Sequence, residues 1–114
     1  CTRGVSGSAD ADLHIFGFDL KKANWSVLQT LTPGRGGKPG MSCLEIRDDQ
    51  KLFAAGGWDH RVRLFSWGRR RPSAPLAVLR CHNGSVHCLD HGPLGSGLLA
   101  VGAKDCRLSI WELY

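Results

Sequence analysis

The stretch Asp105-Cys-Arg-Leu-Ser-Ile-Trp111 repeats a phrase that the chain has already made twice, as Asp10-Ala-Asp-Leu-His-Ile-Phe16 and as Asp59-His-Arg-Val-Arg-Leu-Phe65. The shared pattern is Asp, two polar or small residues, an aliphatic, a polar residue, an aliphatic and a large aromatic. The copies start 49 and then 46 residues apart, and a fixed period of this size marks a repeat architecture built from one supersecondary unit. Asp closes a tight turn because its carboxylate accepts backbone N–H groups just ahead of it. The alternation that follows, Leu13/Ile15, Val62/Leu64 and Leu108/Ile110, is that of a strand with one buried face. The terminal aromatic falls on the opposite face and has to pack elsewhere, against a neighbouring unit or a loop.

A second strand precedes each Asp. Leu52-Phe-Ala-Ala-Gly-Gly57 and Leu98-Leu-Ala-Val-Gly-Ala103 are apolar runs, and Val5-Ser-Gly-Ser8 is the tail of the same strand in the first copy. Gly7, Gly56 and Gly102 share one register, three residues before the Asp, and glycine inside a strand marks a bend or a close approach. Ser42–Ile46 and Val86–Asp90 supply another strand upstream, and Trp25–Leu31 and Pro75–Leu79 one downstream. Each unit therefore reads a, b, Asp turn, c, d, which is the four-stranded blade of a propeller at its usual period.

In these residues the chain resembles a WD40 repeat array. Cys81-His82 stands where that family carries Gly-His, and Trp111-Glu112 where it carries Trp-Asp. The resemblance implies an all-β fold of antiparallel four-stranded blades. It also implies a structural network in which His82 pairs with Asp105 and Trp111 supports them, with Asp59 and Asp10 as the turn residues of the earlier copies. Two departures bear on that network. The loop before the second copy, Thr32–Gly40, has no His, and the Ser or Thr that the family often places in strand b is Val101. At finer grain, Gly57–Phe65, Pro75–Leu79 and Val101–Trp111 resemble the guanine nucleotide-binding protein subunit beta-like branch of the family. That resemblance implies protein partners, of the kind found in the Tel2–Tti1–Tti2 co-chaperone complex that matures phosphatidylinositol 3-kinase-related kinases in DNA-damage signalling.

Length sets the organisation. Propellers need about 4–8 blades, and 114 residues supply roughly two and a half. We expect the end of one blade over 1–40, a complete blade over 41–80 and strands a, b and c of a last blade over 81–114. The chain is thus expected to be a C-terminal fragment of a larger propeller, with the missing blades supplied by the rest of a parent chain. Uncovered blade faces and strand edges otherwise favour association.

Composition narrows the function classes. The chain carries 15 Lys+Arg against 10 Asp+Glu, a net charge of +5, and Arg69-Arg-Arg71 concentrates that charge in the c–d connection. A solvated hairpin tip is the plain reading of the triplet; a basic-patch nucleic-acid or chromatin-binding module is the alternative function. There is no apolar run long enough to cross a membrane. Five cysteines at 1, 43, 81, 88 and 106 are too irregular for a disulfide scaffold, which points to an intracellular protein, cytoplasmic or nuclear.

The repeat accounts for most residues of site-forming type. Cys81-His82, His87-Cys88 and His91 have metal-ligating types, but the repeat register already accounts for them, so we expect no metal. His60 beside Asp59 could serve as a general base, yet no nucleophile stands near and the turn explains the Asp. Thr32–Gly40 is Gly-rich with Lys38, but Pro39 follows where a phosphate-binding loop needs Ser or Thr. No cofactor and no catalytic group is expected. Trp58, in the b–c turn, reads either as a partner anchor or as a side chain folded over its own strand. With Arg35, Lys38, His60 and Lys104 it forms the candidate rim on which a non-catalytic scaffold would hold protein partners.

Overall fold

The computed structural model describes residues 2–9, 12–32, 40–68 and 75–113; Asp10, Arg35, Lys38 and the Arg69–Arg71 triplet lie outside them. Ten strands and no helix occur among the described residues, and none therefore crosses a membrane as a helix. They form three antiparallel sheets. The first is β1 (Thr2–Gly7), β2 (Leu13–Asp19) and β3 (Asn24–Leu31). The second is β4 (Met41–Ile46), β5 (Leu52–Gly57), β6 (Arg61–Ser66) and β7 (Ala77–Arg80), in that spatial order. The third is β8 (Val86–His91), β9 (Leu98–Ala103) and β10 (Leu108–Glu112). The order a, b, c, d read from the sequence is the order of strands across the second sheet, and the all-β partial propeller is the fold.

The sheets pack face to face and leave two cores. Leu13, Ile15 and Leu31 of the first sheet meet Met41, Phe53, Ala55, Phe65 and Trp67 of the second. Phe53 stacks on Phe65 at 5.0 Å between centroids and meets Trp67 edge-on at 5.5 Å, the two favoured aromatic geometries. On the other side Ala54, Val62 and Leu64 meet Val86, Leu99 and Val101 of the third sheet. The aromatic of the phrase, Phe65, thus packs on the neighbouring sheet opposite to the one its aliphatics touch.

One expectation needs correcting. The alternation in β6 predicts a strand with one buried face, but Val62 to Phe65 are all buried and every residue of β5 is buried. The second sheet lies between two others, so both its faces are inside. Only the outer sheets keep the one-sided pattern: Leu108 and Ile110 are 70% and 60% exposed, whereas Leu13 and Ile15 are 0% and 2% exposed.

The glycines have a common cause. A Cβ at Gly56 would sit 2.5 Å from Cys43 Sγ, and one at Gly102 2.7 Å from Cys88 Sγ. Each thiol of strand a lies over the glycine opposite it in the ladder, at a position where no side chain fits. Burial pushes the Cys43 thiol above its ordinary pKa, as expected of an inert core cysteine. Both strands a also carry the same irregularity, between Met41 and Cys43 and between Val86 and Cys88. The bulged Ser42 donates its hydroxyl to the carbonyls of Gly56 and Val86, joining the second sheet to the third. Arg3 ties the first sheet to the second: its guanidinium donates to the Trp67 and Gly68 carbonyls at 2.5 and 2.9 Å and lies 4.5 Å over the Trp67 ring.

Removing Phe53 opens the larger core on its most buried strand. Phe53→Ala should cost about 3–5 kcal/mol, while Ile110→Ala, on the uncovered face, should cost less than about 1 kcal/mol; urea denaturation of the two variants measures both.

Candidate functional site

Both b–c turns are built alike and end on the same edge of the sheets. The residue after the Asp has positive φ in each, His60 at 71° and Cys106 at 62°, the left-handed position that follows a type I turn in a three-residue hairpin loop. The Asp105 carboxylate accepts the Arg107 N–H at 3.0 Å and reaches across to the Asn83 N–H at 2.9 Å. One backbone bond then recurs in each blade. Trp58 N donates to Gly40 O and Lys104 N to Ser85 O, both at 2.9 Å, so the b–c turn is tied to the d–a loop that enters its own blade. These two loop sets make one rim.

In the third sheet the rim carries a chain of polar groups. His82 Nδ1 lies 3.1 Å from Asp105 Oδ2, His82 Nε2 lies 2.8 Å from Ser109 Oγ, and Trp111 Nε1 donates to Ser109 Oγ at 2.9 Å. A carboxylate can only accept, so the proton sits on Nδ1, and Nε2 accepts the Ser109 hydroxyl. His82 is 8% exposed and every polar atom along the relay has a partner. His82, Asp105 and Trp111 are thus in one cluster, and Ser109 is the member that sequence reasoning missed. The signal was available: Ser109 pairs with Val101 in the β9–β10 ladder, so the hydroxyl absent from strand b is supplied from the position directly opposite.

The same position, four residues after the turn Asp, holds a different group in each copy. In the second blade it is Arg63, which is 4% exposed and grips Asp59 with both ends of its guanidinium at 3.1 and 2.5 Å. That blade has no His in its d–a loop, and Arg63 reaches the turn carboxylate from within the strand instead. Gly57 leaves the space, since a Cβ there would lie 2.5 Å from Asp59 Oδ1. In the first sheet the position is His14, whose Nδ1 lies 3.2 Å from Thr30 Oγ1; its turn residue Asp10 is outside the described residues.

The carboxylates titrate accordingly. The Asn83 N–H, followed by His82 and the Arg107 N–H, holds Asp105 below the usual carboxylate range. Burial pushes Asp59 up, but Arg63's hydrogen bonds and charge outweigh it, and the net direction is down. The Ser109 hydroxyl beside His82 also accepts the Trp111 indole N–H, and the carboxylates hold the loops through backbone N–H groups and Arg63.

Of the rim residues, Trp58, His60 and Lys104 are exposed in the b–c turns. Trp58 is 50% exposed. The rest of its ring lies on Gly40, where a Cβ would come within 2.9 Å of Trp58 Cδ2 and 2.8 Å of the Ala9 backbone. It is therefore neither free in solvent nor folded over its own strand, but seated flat on the d–a loop with one side showing. Among the described residues no three His, Cys, Asp or Glu side chains converge as a metal site.

Residues 25–66 and 73–112 match the family described as WD domain, G-beta repeat. The chain belongs to the WD40 repeat family. Each matched segment runs from a strand d through a, b and c of the next sheet, so the sequence repeat is offset by one strand from the blade and every repeat spans two sheets. Guanine nucleotide-binding protein subunit beta-like protein 1 of Mus musculus is 41% identical over 112 residues, which are 98% of this chain and 32% of that protein. ASTRA-associated protein 1 of Schizosaccharomyces japonicus is 41% identical over 78 residues, 68% of this chain and 20% of that protein. The C-terminal WD40 domain of Sif2 shares the fold with a TM-score of 0.79 at 14% identity, over 97% of this chain and 30% of that one. A chain in the crystal structure of a mitotic checkpoint complex gives 0.75 at 29% identity, over 95% and 32%. The WD40 chain thus spans about a third or less of the curated relatives it matches.

His82→Ala strands Ser109 and one face of Asp105 and should cost about 1–3 kcal/mol in urea denaturation. Acid should weaken the fold through the two Asp groups. Their folded pKa values are depressed, so the stability they contribute is fully present above the unfolded value of about 3.9 and is lost as the pH falls through the folded values. The melting midpoint should therefore drop below about pH 4, and the drop should be shallower in Asp59→Asn.

Proposed function

We propose that this WD40 chain is a non-catalytic, intracellular scaffold that holds protein partners on the rim made by its d–a loops and b–c turns. The observation that carries the reading is Trp58, a half-exposed ring resting on Gly40 at the junction of two loops. Trp is enriched at binding hot spots because it offers a large area at low entropic cost. Every polar group of the neighbouring relay is engaged in holding those loops, which supplies the pre-organisation a docking rim needs. His60 and Lys104, on the same rim, would form its polar border.

The finer reading is an adaptor for a multiprotein assembly. Relatives named ASTRA-associated protein 1 in two fission yeasts align over two thirds of this chain at 41% identity, which supports a partner of that class, including a Tel2–Tti1–Tti2-type co-chaperone complex that serves phosphatidylinositol 3-kinase-related kinases in nucleus or cytoplasm.

Affinity purification of the full-length protein and its Trp58→Ala variant, at two salt concentrations, tests both levels. Loss of a hot spot of about 2 kcal/mol weakens a partner roughly 30-fold, with the melting temperature nearly unchanged and little dependence on salt. Equal recovery by both proteins, or recovery of nucleic-acid-bound material that salt releases, would count against the rim.

A further inference from the structure

The register sets two arginines side by side on neighbouring strands. Arg61, the first residue of β6, pairs directly with Arg80, the last residue of β7. Side chains directly opposite in an antiparallel pair have Cβ atoms about 4.5–5.5 Å apart, and like charges there destabilise the sheet. Both arginines are exposed, and neither has an ion-pair partner among the described residues. They border an open cavity of about 330 Å³ at the junction of the second and third sheets, lined also by Asp59, His60, Cys81, His82 and Asn83. Its one carboxylate, Asp59, is already gripped by Arg63. Asp59 also feels the Arg61 charge, but one carboxylate stands against Arg61, Arg80 and the Arg63 that grips it, so the cavity is cationic on balance, with guanidinium forks, an amide and two imidazoles at its wall.

We propose that this cavity binds a phosphorylated side chain, phosphoserine or phosphothreonine, on an extended segment of a protein partner. The inference rests on the scaffold reading and names the chemistry of one contact. A phosphate monoester carries about −1.5 to −2 charge and three terminal oxygens. Two guanidinium groups side by side match it, because each presents a planar fork of N–H donors to paired oxygens. Binding would also remove the Arg–Arg repulsion, so the charge that costs stability in the free protein becomes affinity in the complex.

The surroundings favour a polypeptide over a nucleic acid. The cavity's lining holds a single pair of arginines, whereas a nucleic-acid backbone rewards a track that neutralises successive phosphates. Arg80 belongs to β7, the outermost strand of its sheet, and among the described residues no strand pairs with its free edge. Leu76 and Val78 beside that edge are 66% and 37% exposed. An extended peptide could add to such an edge through backbone hydrogen bonds, with its phosphate at the Arg61/Arg80 end.

The test uses the full-length protein and fluorescence anisotropy with three probes: a degenerate peptide pool with a central phosphoserine or phosphothreonine, the same pool unphosphorylated, and a 20-nucleotide single-stranded DNA. The phosphorylated pool should bind at least tenfold more tightly than the other two and be displaced by millimolar inorganic phosphate. Arg61→Ala and Arg80→Ala should each abolish that preference, and Arg61→Lys, which keeps the charge but loses the fork, should retain part of it. The melting temperatures of both alanine variants should be unchanged or raised, because a repulsion has been removed; a marked fall would show that the pair is structural and overturn the proposal. Equal binding of the two peptide pools, tighter binding of the DNA, or wild-type affinity in both alanine variants would also overturn it. Partner capture that survives both arginine variants but is lost in Trp58→Ala would leave the scaffold reading standing while this site falls.

Discussion

Two-sided burial of the second sheet is the constraint on which the rest of the structure depends. Phe53 and Ala54 are neighbours in one strand and belong to different cores, as do Leu64 and Phe65. A pleated strand sends successive side chains to opposite faces, so each of these pairs fastens the middle sheet to both of its neighbours. The outer sheets each have one such partner among the described residues. That asymmetry explains why the same phrase of sequence yields buried aliphatics in its first two copies and exposed ones in its third.

The rim follows from the same stacking. Once adjacent sheets are fixed face to face, the d–a loop that connects them must cross the end of the sheet it enters, beside that sheet's b–c turn. The turn Asp is then the natural hub, because its carboxylate serves the turn's own N–H groups and has capacity left for a group arriving from the loop. Asp105 takes that group from the loop, through His82 and Asn83. Asp59 takes it from the strand, through Arg63. The two solutions differ chemically and reach the same end, an anchored loop on a short turn. They also leave different surfaces. The His82 relay satisfies itself internally, whereas Asp59, the carboxylate that lines the cavity beside Arg61 and Arg80, is already bonded to Arg63.

The polar side chains of the rim hold its loops, and what the rim displays is Trp58 on its glycine seat and the paired Arg61 and Arg80. The offset of the sequence repeat from the blade serves the same end, since a repeat that spans two sheets transmits rigidity across the junction where the rim and the cavity lie.

By itself the sequence determined the repeat, its period, the strand order within a blade and the turn Asp, because each of these is local or repeats in register; the partnership of His82 with Asp105 was implied only by the resemblance to the WD40 family. The sequence also marked Gly56 and Gly102 as geometric, though not the Cys43 and Cys88 thiols that require them. Only the tertiary structure decided which faces are buried. Arg63 reads from alternation as a solvent-facing residue, and it is buried because a second sheet covers that face. Ser109 reads as an ordinary polar position, and it completes the relay because the β9–β10 register sets it opposite Val101. Arg61 and Arg80 are 19 residues apart in the chain, and only the pairing of β6 with β7 brings their charges together. Local pattern fixes what a segment becomes; the stacking of sheets fixes what each side chain meets, and the candidate site is made of such meetings.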